Sequence, residues 1–406
     1  MADKKVISNQ SFQPLQENLA ATLHDILKFW QHTMPDTIHG GFIGAVHLGG
    51  KKFSEAPKGA VLHARILWTF STAALQLRDE SIRQTADYSY NWFSEHFFDT
   101  VSGGIFWSVD YTGLPLETKK QVYAQGFAIY ALSAYYRLTG NETALKQAIE
   151  LFHLLEKHSY DPVYGGYFEA FTREWETIED LRLSEKDANE KKTMNTHLHV
   201  LEGYTLLYKV WPDAELRKKI IGLLTIFKEK IIEKSTSTQG LFFDENWVRK
   251  DSLISFGHDI EASWLLQEAA EVLGDDDWIG YTKELAVKMA FASLKGIDSD
   301  GGMWHEYDVA HHHLVKEKHW WPQAEAMVGY FNVWQNSGDS FFLDQVHKSW
   351  NFISQYLIDK QFGEWIWGVY EDYRPMDQED FAGFWKCPYH NGRACIEILN
   401  RTGSVL

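Results

Sequence analysis

A short turn made of glycine and aromatic residues recurs six times along this chain of 406 residues. Successive copies are 63, 62, 75, 61 and 62 residues apart, and in five of them an aspartate stands three or four residues before the glycine. The copies begin at Gly40, Gly103, Gly165, Gly240, Gly301 and Gly363. A fixed internal period indicates one supersecondary unit used repeatedly, with the same end of every unit facing the same way.

Each unit has the pattern of an exposed helix, a hairpin-like turn and a buried helix. In the first unit, the apolar residues that follow the spacing of one helix face are Leu19, Leu23, Ile26, Leu27 and Trp30. Similar half-exposed helices are predicted near 82–98, 145–160, 281–296 and 342–359. Segments 127–138 and 324–334 are apolar on nearly every side, which is typical of a buried helix.

Six such pairs predict an all-α fold, an (α/α)6 barrel with six inner helices inside six outer ones. A linear helical solenoid is the competing arrangement, but it would need atypical polar repeats at its ends, and the sequence shows none. No linker-like stretch interrupts the repeat, so we expect a single domain over residues 1–406. The one longer step comes from a charged insertion at 172–193, a candidate lid or specificity loop.

The charge and composition exclude several classes of partner. A net charge of −17 argues against binding to nucleic acid or to an anionic membrane surface. No apolar stretch is long enough to span a bilayer, and the start, MADKKVISNQSFQPL, lacks the apolar run of a signal peptide. Two cysteines, Cys387 and Cys395, form no disulfide framework and fit a reducing compartment. We therefore expect a cytoplasmic protein.

The predicted inner helices begin with an unusual set of polar and aromatic side chains. Because these helices start at the same end of the ring, the side chains should converge at one mouth of the barrel and form a pocket with bases, a cation and aromatic walls. In chain order they are Arg65, Tyr123, Asn195, His197, His199, His258, Glu261, Trp264, Trp320, Trp321, Trp385 and His390.

Helical spacing suggests how some of these residues act together. Asn195 and His199 are four residues apart and share a helix face. His258 and Glu261 are three apart, so Glu261 is predicted to orient or polarise His258. Arg65 lies in an otherwise apolar helix, where it either pairs with a buried carboxylate or faces a polar cavity.

A metal site is the alternative interpretation of the His-x-His and His-x-x-Glu patterns. His197 and His199 point in roughly opposite directions on a helix, which argues against shared ligation, and we predict no metal. The chain has no P-loop, no dinucleotide fingerprint and no GxSxG motif. The run His311–His313 with His319 is predicted to be a solvated loop.

Four segments of this set resemble the signature segments of cellobiose 2-epimerases, which belong to the N-acylglucosamine 2-epimerase superfamily. They are MNTHLHVLEGYT, SFGHDIEASWLL, WWPQAEAMVGYF and KCPYHNGRA. The resemblance covers essentially the whole chain and agrees with the six-fold period. It implies an (α/α)6 barrel and epimerisation at C2 of a reducing-end sugar, glucose-type to mannose-type, without a cofactor.

The resemblance also implies roles for individual residues. His258 and His390 would be the acid/base pair, with Glu261 assisting His258, while His199 and Arg65 would hold and polarise O1 and O2 of the opened sugar. The residues implied to bind the substrate are Tyr123, Asn195 and Trp264 at the reducing-end subsite, Trp321 and Trp385 as stacking platforms, and Asp187 in the insertion.

Three other functions remain open on the sequence. A glycoside hydrolase on the same barrel would need two carboxylates flanking the bond, for which Glu261 and Asp187 are the obvious candidates at the mouth. A sugar-binding barrel without catalysis would leave the histidines unexplained. Within the epimerase interpretation, the rival is a monosaccharide enzyme, a mannose 2-epimerase or an aldose–ketose isomerase. The supply of tryptophans favours a β-1,4-linked disaccharide such as cellobiose, lactose or mannobiose.

Overall fold

The computed structural model describes residues 12–403, in which twelve α-helices alternate between an outer and an inner position. The outer helices are α1 (Gln13–His32), α3 (Glu80–His96), α5 (Glu142–His158), α7 (Ala214–Ile226), α9 (Asp276–Ser293) and α11 (Ser340–Tyr356). The inner helices are α2 (Ala60–Leu77), α4 (Val122–Thr139), α6 (Met194–Val210), α8 (Phe256–Leu273), α10 (Trp320–Ser337) and α12 (Tyr389–Arg401). A π-helical turn, Phe227–Ile231, extends α7, and a 3-10 turn, Leu294–Gly296, extends α9.

The inner helices form a closed ring, which confirms the predicted (α/α)6 barrel and excludes the linear solenoid. Each inner helix packs against the next, and α12 returns to α2. Small residues allow the closest of these contacts. A Cβ atom on Gly203 of α6 would lie 2.6 Å from the backbone oxygen of Gly126 in α4, so neither helix could approach this closely with a larger residue there.

Short antiparallel strands join neighbouring units at the end of the barrel where the inner helices begin. The strand that leads into each inner helix pairs with the strand that follows the next glycine turn, and the last unit pairs with the first. The sheets are β3 (Lys58–Gly59) with β4 (Ser108–Val109) and β5 (Pro115–Glu117), β6 (Lys120–Gln121) with β7 (Ala170–Phe171), β8 (Lys192–Thr193) with β9 (Phe242–Phe243), β10 (Leu253–Ser255) with β11 (Glu306–Asp308) and β12 (His313–Val315), β13 (Lys318–His319) with β14 (Gly368–Val369), and β15 (Asp380–Gly383) with β1 (Ala45–His47) and β2 (Lys52–Phe53).

The recurring aspartate stabilises the glycine turn. In the third unit, Asp161 Oδ1 accepts the N–H groups of Val163 and Tyr164, and Oδ2 accepts a hydrogen bond from Lys192 Nζ at 2.7 Å. Lys192 is fully buried, so the ion pair ties the turn to the strand that leads into α6. The same pairing recurs as Asp36–Lys58, Asp99–Lys120 and Asp298–Lys318. The repeated motif therefore builds the frame that holds the starts of the inner helices.

A side chain in the first turn of the inner helix caps the glycine turn, and in the third unit it is His197. Its Nε2 accepts the N–H of Tyr167 at 2.9 Å, and its Nδ1 bonds to the backbone oxygen of Thr193 at 2.6 Å. Equivalent bonds to turn N–H groups are made by His63, Gln125, Asp259 and Gln323. His197 therefore points away from His199, as its spacing predicts, and supports the fold.

Residues 1–11 and 404–406 lie outside the described part of the chain, and with them the ends of the predicted domain and most of the segment used for the signal-peptide prediction. Between residues 12 and 403, no helix combines the length and the apolar character needed to cross a bilayer. Cys387 and Cys395 are both buried and unpaired.

Candidate active site

Successive turns of the inner helices place the candidate residues in layers below one mouth of the barrel. A helical turn advances about 5.4 Å, so residues three or four apart lie one layer deeper. The first layer holds Tyr123, Asn195, His258, Trp321 and His390, the second holds Arg65, His199, Glu261 and Glu325, and the third holds Glu202 and Trp264. Hydrogen bonds connect the first two layers, as between His390 in the first and Glu325 in the second.

His390 is oriented by a carboxylate from the neighbouring helix. Its Nδ1 donates a hydrogen bond to Glu325 Oε1 at 2.7 Å. Burial, together with the positive charges of Arg65 and Arg393, holds the pKa of His390 well below its ordinary value. The imidazole is therefore neutral near neutral pH, and the bond at Nδ1 leaves Nε2 with the free lone pair.

His199 has the same arrangement one layer deeper. Its Nδ1 donates to Glu202 Oε2 at 2.9 Å, and burial lowers the pKa of the imidazole. Burial would raise the pKa of Glu202, but the charge of Arg393 and the bond from His199 outweigh it and lower that pKa to about 2. Glu202 is thus ionised and fixes the tautomer of His199.

His258 lies at the start of α8 and is held by a hydroxyl group. Its Nδ1 bonds to Ser255 Oγ at 2.8 Å, and burial lowers its pKa to about 3. The ring of Trp321 lies 4.6 Å from the ring of His258 and 5.8 Å from that of His390, so the indole lies beside both bases. No protein group within residues 12–403 bonds to Nε2 of His199, His258 or His390.

Arg65 is buried, at 3% exposure, yet it pairs with no carboxylate among the described residues. Its Nη2 donates to the hydroxyl of Tyr123 at 2.7 Å, and its guanidinium carbon lies 4.2 Å from the ring centre of Phe127. Its Nε has no hydrogen-bond partner within the described range. Of the two situations that the sequence allows for Arg65, pairing with a buried carboxylate therefore does not occur within residues 12–403.

The structure corrects the predicted pairing of Glu261 with His258. Glu261 Oε1 accepts a hydrogen bond from Arg393 Nη2 at 2.6 Å and lies 4.0 Å from His390 Nδ1. Ser255 precedes the helix and already occupies Nδ1 of His258, whereas Glu261 lies one turn deeper, where α12 supplies Arg393. Burial and the neighbouring Glu325 raise the pKa of Glu261 to about 8.

Trp264 also lies deeper than predicted for a residue of the reducing-end subsite. It is buried at 1% exposure, and its Nε1 donates to Glu325 Oε2 at 3.1 Å. Its far side borders a separate cavity of about 490 Å³ at the opposite end of the barrel, where the inner helices end. Trp264 thus supports Glu325 from below, because it follows Glu261 by almost one further helical turn.

The remaining predicted residues lie at the rim. The ring of Trp385 is 6.1 Å from that of Tyr123 and partly exposed, and the Oδ1 atom of Asn195 has no partner in the described structure. In the insertion, Asp187 Oδ2 accepts hydrogen bonds from Ser184, and burial raises the pKa of Asp187.

The insertion itself reaches another unit of the ring. Lys186 forms an ion pair with Glu379, which precedes β15 in the sixth unit, at 3.4 Å. The segment therefore connects the third and sixth units on the face where the inner helices begin, as a covering loop would.

The predicted solvated loop is correct for His311–His313 but wrong for His319. The first three are exposed, whereas His319 is 9% exposed and stacks on His305 at 4.1 Å. His319 ends β13, which pairs with β14 and leads directly into α10, so it belongs to the frame of the barrel and not to the exposed hairpin.

One group of side chains has the composition of a metal site, but an arginine lies within it. Glu261, Glu325 and His390 bring ligand atoms within 4.8 Å of one another. Arg393 Nη2 donates to both carboxylates, at 2.6 and 2.7 Å, so the guanidinium already supplies the positive charge that a metal ion would bring. The geometry favours a hydrogen-bonded network over ligation.

The sequence analysis did not single out four residues that hold this network together. They are Glu202, Glu325, Tyr389 and Arg393, and all are buried. Glu202 and Glu325 are charges in mainly apolar helices, the same signal that identified Arg65. Glu202 also follows His199 by three residues, the spacing that was used for His258 and Glu261.

Comparison with known proteins identifies the family and supports the barrel fold. The family model for N-acylglucosamine 2-epimerase matches residues 41–394. A cellobiose 2-epimerase of Bacteroides fragilis is 48% identical over 95% of this chain and 98% of its own length, and one of Ruminococcus albus is 38% identical over 93% and 96%. The solved cellobiose 2-epimerase of Bacillus thermoamylovorans superposes with a TM-score of 0.91 at 37% identity, covering 96% of this chain and all of that one. The chain belongs to the N-acylglucosamine 2-epimerase family and is a carbohydrate epimerase.

Proposed function

We propose that the enzyme inverts C2 of the reducing-end glucose or mannose unit in β-1,4-linked disaccharides such as cellobiose, lactose and mannobiose. One observation carries the proposal: near one end of the barrel lie three neutral imidazoles whose Nε2 atoms bond to no group within residues 12–403, together with a guanidinium that pairs with no carboxylate in that range. The two bacterial relatives are both cellobiose 2-epimerases, which supports the substrate class.

The chemistry requires an open sugar. The hydrogen on C2 is acidic only when C1 is an aldehyde, so the ring must open first, with an acid at the ring oxygen and a base at the anomeric hydroxyl. A neutral imidazole can perform either role once it has exchanged a proton with the substrate. We assign ring opening to the same histidines that act at C2, because the described site offers no ionised carboxylate free of a partner.

Inversion requires that a proton leave one face of C2 and that another arrive on the opposite face. His258 on α8 and His390 on α12 come from different inner helices and both lie beside Trp321, which supports their assignment to opposite faces. Glu325 would stabilise the imidazolium that forms when His390 takes the proton, since its carboxylate accepts from Nδ1.

The intermediate is an enediolate, and its negative charge needs donors placed in advance. Arg65 and His199 are the proposed donors to O1 and O2, with Tyr123 holding the guanidinium in place. A buried positive charge without a carboxylate partner stabilises a developing oxyanion more than a positive charge that a carboxylate already neutralises.

The second sugar ring would lie at the rim. Trp385 and Trp321 are partly exposed there, whereas Asn195, whose Oδ1 has no partner within residues 12–403, would contact the reducing-end unit. Asp187, in the loop over the mouth, is the proposed polar contact for the non-reducing unit. Binding energy from this remote ring can be used to orient C2.

The mechanism proposed here uses side chains alone, so we propose that activity needs no cofactor or metal. The two free thiols support a cytoplasmic location. The net negative charge gives no attraction to nucleic acid. We propose that the barrel acts as one catalytic domain.

Product analysis tests the proposal directly. Purified protein incubated with cellobiose should yield the disaccharide whose reducing end is mannose, seen as a new anomeric signal by NMR. Free glucose would indicate a hydrolase, and a 2-ketose as the main product would indicate an aldose–ketose isomerase. Faster conversion of free mannose than of any disaccharide would point to the monosaccharide epimerase.

A further inference from the structure

Tyr389, the first residue of α12, touches two parts of the site at once. Its side chain is fully buried. The face of its ring lies 4.7 Å from the guanidinium carbon of Arg65, and its hydroxyl donates to Glu202 Oε1. One side chain therefore contacts a proposed oxyanion donor directly and reaches the second donor, His199, through a carboxylate.

The ring helps to fix the direction of Arg65. Phe127 and Tyr389 meet edge to face, with ring centres 5.3 Å apart at 89°, and the guanidinium lies in the corner between them. Since Arg65 has no carboxylate partner among the described residues, its orientation depends on these two rings, the hydroxyl of Tyr123 and the thiol of Cys387, which lies 4.0 Å from Nη1.

The hydroxyl helps to fix His199. Glu202 uses Oε2 to accept from His199 Nδ1 at 2.9 Å and Oε1 to accept from Tyr389 and from Arg393. A carboxylate held on both oxygens cannot rotate, so the imidazole that it orients is held as well. Burial raises the pKa of Tyr389 well above its ordinary value, so the hydroxyl remains a donor.

We infer that Tyr389 is a positioning residue that aims Arg65 through its ring and His199 through its hydroxyl, so that both point at the same developing oxyanion. The inference rests on the proposed function, because it concerns how that function's two donors are held. Tyr389 itself would not touch the sugar, since its side chain is fully buried and its hydroxyl is bonded to Glu202 and Arg393.

Tyr389→Phe tests the hydroxyl and keeps the ring. Because the hydroxyl donates to Glu202 and accepts from Arg393, the variant loses hydrogen bonds to two charged groups, and kcat should fall about 10–100-fold while KM changes less than about threefold. Tyr130→Phe is the matched control. Tyr130 is also a buried tyrosine of an inner helix, and it stacks on Trp68, which contacts Tyr389. The hydroxyl of Tyr130 bonds to no described group. The control should keep wild-type kcat, and thermal melting should show both variants folded.

A double-mutant cycle separates positioning from a general loss of packing. Exchange of deuterium from D2O into C2 of cellobiose is measured for Tyr389→Phe in three backgrounds: wild type, His199→Ala and Glu202→Gln. If the hydroxyl acts through Glu202 on His199, Tyr389→Phe should cause less than about a twofold further loss in the last two. Tyr130→Phe should cost nothing in any background.

Two results would overturn the inference. A full Tyr389→Phe loss that persists in the His199→Ala and Glu202→Gln proteins would show that the hydroxyl acts elsewhere, while the proposed function stood. A wild-type protein that placed no deuterium at C2 would overturn the proposed function, and the inference with it.

Discussion

His197 gives a prediction in which stability and pH are linked through one buried side chain. His197 accepts a hydrogen bond from an N–H group of the glycine turn. In other units the amide oxygens of Gln125 and Gln323 accept the equivalent N–H groups, at 2.9 and 2.6 Å. Gln323 also donates to the backbone oxygen four residues earlier, as His197 does. His197→Gln should therefore fold and keep wild-type turnover.

The pKa of His197 determines how the stability difference changes with pH. Burial lowers the pKa of His197 to about 3, against an ordinary value near 6.5. Between these two pH values the unfolded chain binds a proton that the folded chain does not, so the wild type loses stability as the pH falls. Glutamine has no such proton. At pH 5 the wild type should therefore lose about 2 kcal/mol relative to His197→Gln, which is about 1.4 kcal/mol for each pH unit below 6.5.

Urea unfolding followed by tryptophan fluorescence, at pH 7.5 and pH 5, measures this difference. His63, the equivalent residue of the first unit, is present in both proteins, so its own proton uptake cancels. His197→Leu serves as the contrast: it leaves the Tyr167 N–H without a partner and should lower stability by about 1–3 kcal/mol at pH 7.5. An unfolding difference between wild type and His197→Gln that is the same at both pH values would refute the reasoning, as would loss of activity in His197→Gln.

Four further outcomes follow from the site. His258→Ala and His390→Ala should each lower kcat by about 10²–10⁴-fold with little change in melting temperature, and wild-type turnover in either would remove that residue from the pair. Arg65→Met should lower kcat/KM at least about 100-fold, yet urea unfolding should show no loss of stability beyond about 1 kcal/mol, because no carboxylate within residues 12–403 would be left unpaired. Activity should survive exhaustive treatment with EDTA, since Arg393 already neutralises the carboxylates, and loss restored by one divalent ion would contradict this. Trp385→Ala should lower kcat/KM for cellobiose at least about tenfold and for mannose less than about threefold, whereas equal losses would place Trp385 at the reducing-end ring.

Most of the fold could be predicted from the six-fold sequence repeat. A six-fold period with alternating amphipathic and apolar helices predicted the barrel, and the structure places the outer helix α3 at Glu80–His96 where 82–98 was expected. The function of the recurring aspartates could not be predicted, because four of them pair with a lysine that follows twenty or more residues later along the chain. The sequence shows the two residues but not the turn that brings them together.

Helical spacing predicted which side chains share a helix face, but not the partner of each side chain. His258 and Glu261 do share α8, yet which side chain Glu261 meets depends on Arg393 from α12, more than a hundred residues away. The prediction that His319 is exposed was wrong for a related reason. His319 stacks on His305, which lies across a hairpin that the spacing of residues does not reveal. Spacing within one helix predicts the direction in which a side chain points, whereas its hydrogen-bond partner depends on the neighbouring helices of the ring.

The central claim is that His258 and His390 serve opposite faces of C2, and exchange without inversion tests it most directly. Each single variant, His258→Ala and His390→Ala, is incubated in D2O with cellobiose and, separately, with its mannose-ended epimer, and deuterium at C2 is followed by NMR. The account predicts that the wild type labels C2 of both sugars as it interconverts them. It also predicts that each variant exchanges C2 of one epimer only, a different epimer for each variant, without forming the other sugar. Equal exchange of both epimers by either variant, or interconversion by the wild type with no deuterium at C2, would contradict the account.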